Sequence, residues 1–367
     1  MKMMSKQRRR DAFKLKNLPG LFDSGRRLRK LDELGDPLVG LHAVIDWELF
    51  RSDLSTVYES ERKSLAGRKP IDVVLMFKMI ILQRLYNLSD DQAEYQIRDR
   101  ASFQRFLGLH VEHGVPDAKT LWLFKERLKE HELLETLFAR FDGYLVARGF
   151  AARGGQMVDA VFVEVPRQRN THAENASIKA GETPAEWLTH PNKLAQKDLD
   201  ARWTSKRGQR YYGYKNHVNA DPQHKLIRSY AVTDASVHDS QALDAVLDTT
   251  AREPAVFGDS AYRSEEREAS LRAAGLESRI CERAYRNRPL SDEQHAANRE
   301  RSRIRSRVEH IFGFMHTNMH GTEIRCIGML RAEIAIGIAN LAYNLARFAQ
   351  LTLPSLRERR RRVYAHG

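Results

Sequence analysis

Cysteine is nearly absent. Two occur among 367 residues, Cys281 and Cys326, too few and too far apart for a disulfide framework or a Cys-rich zinc site. A reducing cytoplasm is the compartment this predicts. Also missing is any apolar run near the ~20 residues that a bilayer-spanning helix requires. The basic start, MKMMSKQRRRD, is followed by no hydrophobic signal region. Neither export nor a membrane partner is therefore expected. Acidic residues are in deficit, with 48 Asp and Glu against 61 Lys and Arg. The net charge of +13 and a pI near 9.7 are the electrostatic footprint of a protein that binds a polyanion, nucleic acid first among them. A basic soluble protein with no such partner satisfies the composition equally.

What is present divides the chain. Residues 1–67 carry basic runs, KQRRR and GRRLRK, and read as a basic arm and linker. From Pro70 the apolar spacing becomes helical in IDVVLMFKMIILQRLYN, with Ser89 placed to cap the next helix and Gly108 to stop it. LWLFKERLKEHELLETLFARFDGYLVARG continues as a third amphipathic stretch. Residues 68–150 thus predict an all-helical domain, whose turn-linked helices leave room for a helix-turn-helix. Arg98, Arg100, Arg105, Lys119, Lys125 and Arg127 are its candidate contacts, though exposed helix faces commonly look the same.

After Gly154 and Gly155 the pattern changes to QMVDAVFVEV, a buried strand. A polar insertion at about 166–209 follows, long enough to suggest a function. Two strands, RYYGYKNHVNA and KLIRSYAVTDA, flank Asp221-Pro222 as a hairpin; then come a helix, the strand PAVFGDS, a helix closed by Gly275, the strand ESRICE, and helices over 292–316 and 329–351. This order predicts an α/β catalytic domain at 151–350, a mixed sheet flanked by helices. The basic tail 351–367 holds Arg359 to Arg362, a run suited to non-specific, salt-sensitive affinity for a polyanion.

Three acidic residues stand out. Asp159 lies inside the apolar strand, where a carboxylate is costly unless paired or metal-bound. Asp259 falls at the carboxyl end of a strand, where open α/β sheets place functional groups. Glu309 sits at the border of the apolar helical stripe formed by Ile304, Val308, Ile311, Phe312 and Met315. Three carboxylates suit hard divalent ions acting on a phosphodiester. Taken alone, a strand Asp that caps a loop and a helix Glu paired with arginine fit as well.

The stretches VDAVFVEVPRQRN, YYGYKNHVNAD, KLIRSYAVTDASVHDSQ, VFGDSAYRS and RSRVEHIFGFMH resemble the IS5 family of insertion-sequence transposases, from about residue 68 to 350. The resemblance implies an RNase H-like catalytic domain whose DDE triad, also the metal ligands, falls on Asp159, Asp259 and Glu309. Mg²⁺ is the implied cofactor and Mn²⁺ a possible substitute. In the glutamate signature of such transposases, Arg305 and Glu309 match, whereas Ser302 stands at the tyrosine position and His316 at the lysine position. Val161 replaces the small polar residue usual after Asp-Ala.

On this reading the protein binds the terminal inverted repeats of its element, cuts there, and joins the 3′-hydroxyl ends to target DNA as a homodimer or larger synaptic complex. Arg305, His316, Lys206, Arg207, Arg210, Tyr212, Lys215 and His217 are the expected DNA contacts, the last six because basic and aromatic residues alternate there. His238 and Asp239 are read as helix caps. A catalytically silent DNA-binding protein and an RNase H-like nuclease without strand transfer are the rival readings.

Overall fold

The computed structural model describes residues 23–58, 70–110, 114–206, 208–286 and 288–353. Among the described residues eight α-helices come first: α1 Asp23–Leu34, α2 Pro37–Val44, α3 Arg51–Ser55, α4 Val73–Leu85, α5 Asp90–Asp99, α6 Ala101–Leu107, α7 Ala118–Glu130 and α8 Leu133–Ala147. Their ends follow local chemistry. Ser89 and Gln92 form a reciprocal capping box at α5, as expected of Ser89, and Gly108 closes α6 in the left-handed region at φ 73°. Asp36, Asp72 and Asp117 cap α2, α4 and α7 through their side chains. The third amphipathic stretch is broken at His131-Glu132, where Glu132 adopts φ 50°, so it forms two helices.

The arm-and-linker reading of residues 1–67 is corrected over 23–58. Those residues are largely helical, and Leu38, Leu41, Trp47, Phe50 and Leu54 are buried. The basic runs drew attention away from apolar residues spaced to bury one face. Residues 1–22, with KQRRR, lie outside the described residues.

The second part contains β1 Gln156–Glu164, α9 His172–Lys179, α10 Ala185–Leu188, α11 Pro191–Leu194, β2 Arg202–Lys206, β3 Gln209–Ala220, β4 Ile227–Asp234, α12 Leu243–Val246, β5 Ala255–Phe257, α13 Glu265–Ala273, β6 Glu277–Ser278, α14 Asp292–Arg305, α15 Glu309–Met319 and α16 Met329–Thr352. The sheet runs β2-β3-β1-β5-β6, with β4 also on β3. β1 is antiparallel to β3 and parallel to β5; β5 is parallel to β6; β3 and β4 form the expected hairpin. The mixed sheet flanked by helices thus agrees with the α/β expectation.

Two glycines let the sheet close. A Cβ on Gly155 (φ +89°) would meet the Ala255 carbonyl oxygen at 2.4 Å, and one on Gly213 (φ +146°) would meet that of Val163 at 2.3 Å. Only glycine allows β5 and β3 to approach β1 this closely.

The helical layer and the sheet share one core. Phe50, Phe77, Phe141 and Phe348 belong to the same apolar cluster as Met157 and Val218. Helix α16 binds the two layers: Asn340 exchanges amide hydrogen bonds with Asn216 of β3 at 2.7 and 3.1 Å, and Asn344 accepts from the Ile227 amide at 2.9 Å and donates to its carbonyl at 2.7 Å. These three buried amide side chains are thereby partnered.

The polar insertion carries structure of its own. Three short helices occupy it, and Asp198 anchors it by accepting from the Tyr214 hydroxyl at 2.9 and 2.8 Å and from the amides of Ala201 and Gly328. Among the described residues no helix is long and apolar enough to cross a membrane.

Candidate active site

Strand register places the two aspartates. Met157 of β1 pairs in parallel with Phe257 of β5. Asp159 lies two residues beyond Met157 and Asp259 two beyond Phe257, so two neighbouring strands running the same way bring both carboxylates to one end of the sheet. Asp159 remains within β1, opposite Val218 of β3. Asp259 has left its strand and caps the turn Ser260–Tyr262 by accepting from the Ala261 amide at 2.8 Å.

Asp159 is in an expensive position. Burial pushes its carboxyl up to about 6, and the charge of Asp259 acts in the same sense. The Ala160 amide, Arg305 and Lys206 oppose the rise. The Ala160 amide donates to Oδ1 at 2.8 Å.

The glutamate comes from the helices that follow the sheet strands in the chain. Helix α14 ends at Arg305, a tight turn spans Ser306–Val308, and α15 begins at Glu309. Val308, Ile311, Met315 and Met319 are buried, with Ile304 and Phe312 packed against the same core. Arg305 then spans the gap. Its Nη1 donates to Asp159 Oδ2 and its Nη2 to Glu309 Oε1, both at 3.1 Å. The Glu309 side chain is 63% exposed, that of Asp159 only 15%.

The comparisons with known proteins bear on this arrangement. A family model described as Transposase DDE domain matches residues 151–345, and a second, described as Transposase domain (DUF772), matches residues 26–127. The chain belongs to the DDE transposase family. It is a DNA transposase, and the second match starts within α1 and so covers part of the segment first read as arm and linker. No solved structure matches it.

Several expected DNA contacts of the transposase are placed elsewhere. Tyr212, Lys215 and His217 are buried, at 3%, 7% and 1% exposure, which corrects their reading as surfaces for DNA. The alternation of basic and aromatic residues does not mark an exposed face here. β3 is instead central, paired with β1 on one side and with β2 and β4 on the other.

Lys215 forms an ion pair with Asp239 at 2.8 Å and donates to the Val237 carbonyl at 2.6 Å. His217 meets the Thr233 hydroxyl at 2.9 Å, and burial pulls its pKa down to about 4, so it is neutral. Lys206, Arg210 and His316 are exposed, and His316 contacts the Thr322 hydroxyl at 3.0 Å. Arg207 and Arg359 to Arg362 lie outside the described residues. In the helical layer Arg98, Arg105 and Lys125 pair with Glu94, Asp32 and Asp90, while Arg100 and Arg127 lie over aromatic rings.

Of two further residues near the site, Asp239 was given another role by the sequence and Tyr262 was missed. Asp239 is held by Lys215 and is no helix cap, although His238 does cap Ser240 as expected. Tyr262 is buried with an unpartnered hydroxyl. Its pKa is raised by burial first, then by Asp159, Asp239 and Asp259. Only its place in GDSAY signalled it.

The donor set suits a hard divalent cation, being carboxylate oxygen throughout. Among the described residues no group of three or more His, Cys, Asp or Glu side chains is gathered closely enough to hold a metal. The Arg305 guanidinium provides the fit test: a cation already bridges Asp159 and Glu309, and the raised Asp159 carboxyl gains from positive charge beside it. Two of the three carboxylates, Asp159 and Glu309, therefore already share one positive charge at this end of the sheet.

Proposed function

We propose that Asp159, Asp259 and Glu309 are the catalytic carboxylates of an RNase H-like domain and that the protein is a transposase of the IS5 family. On this reading it binds the terminal inverted repeats of its element, cuts at the ends and transfers the 3′-hydroxyl strands into target DNA. The observation that carries it is the shared offset of Asp159 and Asp259 beyond the paired residues of β1 and β5, with Arg305 linking Asp159 to Glu309.

Asp159, Asp259 and Glu309 would hold divalent metal, Mg²⁺ with Mn²⁺ as substitute. Bound there, the metal supplies Lewis-acid activation of water and charge stabilisation on the phosphate. The chain's own residues do the rest. Desolvation of Asp159 makes it a strong partner for any cation, and the rigid β1–β5 pair fixes two of the three carboxylates relative to one another. Glu309, on a helix and largely exposed, is the adjustable member. Arg305, released from the carboxylates, is the donor for the scissile-strand phosphate, and its planar fork matches phosphate oxygens. Lys206 and Arg210 on the β2–β3 hairpin add sequence-independent contacts. Pairing of two ends makes a dimer or larger complex the working form.

The test is Mg²⁺-dependent cleavage and joining of labelled DNA carrying the element's ends, with the intact protein and Asp259→Ala. Loss of both reactions with end binding retained supports the assignment. Cleavage that survives the substitution removes Asp259 from the site. Cleavage without joining in the intact protein indicates a nuclease, and end binding without metal-dependent cleavage a silent DNA binder.

A further inference from the structure

A cavity of about 520 Å³ lies where α4, the middle and end of α7 and the first turns of α16 meet, lined by residues of both layers. None of Asp159, Asp259 and Glu309 lines it. Part of its wall is apolar, with Ile80, Ile334 and Ile338 on facing helices, and Trp122, 46% exposed, stands on it.

Arg84 of α4 makes this more than a packing gap. Its Nη1 reaches Asn87 at 3.4 Å, but its Nε and Nη2 are sealed from water with no hydrogen-bond partner. Those two N–H groups form one edge of the guanidinium, the edge that donates two parallel bonds to a single carboxylate or phosphate. A buried donor pair left unmade is costly, and an oxyanion that supplies both bonds recovers that cost. Burial lowers the Arg84 pKa to about 10, so the group is still a cation at neutral pH.

The surrounding charges select the anion. Lys125 is taken by Asp90 at 2.5 Å, and Lys129 and Arg331 share Glu126. With Arg84 and Arg325 added, five basic side chains face two carboxylates around the cavity. An excess of this size favours a dianion over a single carboxylate, and the half-exposed indole beside an apolar wall favours a flat aromatic body.

We propose that this interlayer cavity binds a nucleoside monophosphate, its phosphate held by the Nε/Nη2 edge of Arg84 and its base against Trp122. The source is either a free nucleotide or the 5′-phosphorylated terminus of a DNA strand. Arg84 is half-buried and lines the cavity, but its Nε/Nη2 edge is sealed, so binding requires that edge to turn toward the cavity. Occupancy joins α4, α7 and α16, so the site reports on the contact between the helical layer and the layer that carries the sheet.

Calorimetric titration of deoxyadenosine monophosphate and of deoxyadenosine into the full chain tests this, with Asp259→Asn as the background in which the acidic site is disabled. Binding of the monophosphate at least tenfold tighter than the nucleoside, unchanged in Asp259→Asn, is expected. Arg84→Met, which removes the charge at similar volume, should lose that preference while melting at or above the parent temperature. Arg84→Lys should keep the fold and lose most of the affinity, because an ammonium lacks the fork. A preference for 5′-phosphorylated over 5′-hydroxyl oligonucleotides that vanishes in Arg84→Met identifies the strand terminus as the source; binding of the monophosphate without such a preference identifies the free nucleotide. Equal binding of nucleotide and nucleoside, no binding of either nucleotide or oligonucleotide through Arg84, or full monophosphate affinity in Arg84→Met and Arg84→Lys, overturns the proposal.

Discussion

Arg305 Nη1 lies 3.1 Å from Asp159 Oδ2, an ion pair between residues 146 apart in the chain. It closes α14 onto β1 and meets only part of the Asp159 desolvation cost, since that carboxyl still stands near 6 against an ordinary 3.8. A folded-state pKa above the unfolded value means that the neutral form favours the fold. The associated stability is fully present below about pH 4 and is lost as pH rises through 6. Metal-free Asp159→Asn should therefore be more stable than the parent above pH 6, by roughly 1 to 3 kcal/mol at about 1.4 kcal/mol per unit. The difference should vanish near pH 4. Thermal unfolding in EDTA across this range is the measurement, and a pH-independent difference would contradict the assigned burial.

Gly155 governs how β1 starts. Alanine there must adopt φ +89° and place its Cβ 2.4 Å from the Ala255 carbonyl oxygen. We expect Gly155→Ala to cost about 2 to 4 kcal/mol from strain and overpacking together. DNA cleavage should fall further than end binding, because β1 and β5 carry both aspartates. Urea unfolding read beside the two activities checks this, and a variant as stable as the parent would refute the close approach.

Exposed and buried lysines should part company. Lys206 is exposed over the Phe162 ring, whereas Lys215 is enclosed and paired with Asp239. Lys206→Ala should weaken DNA binding uniformly across sequences and reduce the log K against log salt slope by about 0.9. Lys215→Met should leave that slope alone and alter thermal stability instead. Filter binding at several salt concentrations separates the two.

The common core predicts a single transition. Phe77 is fully buried in the helical layer, packed 4.8 Å from the Phe50 ring, within the cluster that also holds Met157 of β1. Phe77→Ala should cost about 3 to 5 kcal/mol. Far-UV and near-UV signals should shift together, since loss of a shared core unfolds both layers. Two separated transitions would show that the layers fold independently.

The sequence by itself determined whatever depends on neighbours along the chain. Helical spacing, Ser89 as a cap, Gly108 as a stop, the β3–β4 hairpin and the placing of Asp159 in a strand with Asp259 at a strand's end all follow from residues a few positions apart. The basic runs masked helices α1 to α3, because charge is conspicuous in a sequence and one buried face is not.

Tertiary structure alone decided the rest. Pairing on both sides of β3 turned Tyr212, Lys215 and His217 from surface candidates into buried groups, since a local pattern does not reveal whether a strand has one neighbour or two. It also brought Arg305 to Asp159, Asp239 to Lys215, and Arg84 to a cavity with no acceptor. Long-range contacts of this kind are set by how the layers bury their common core, and only the folded chain specifies that.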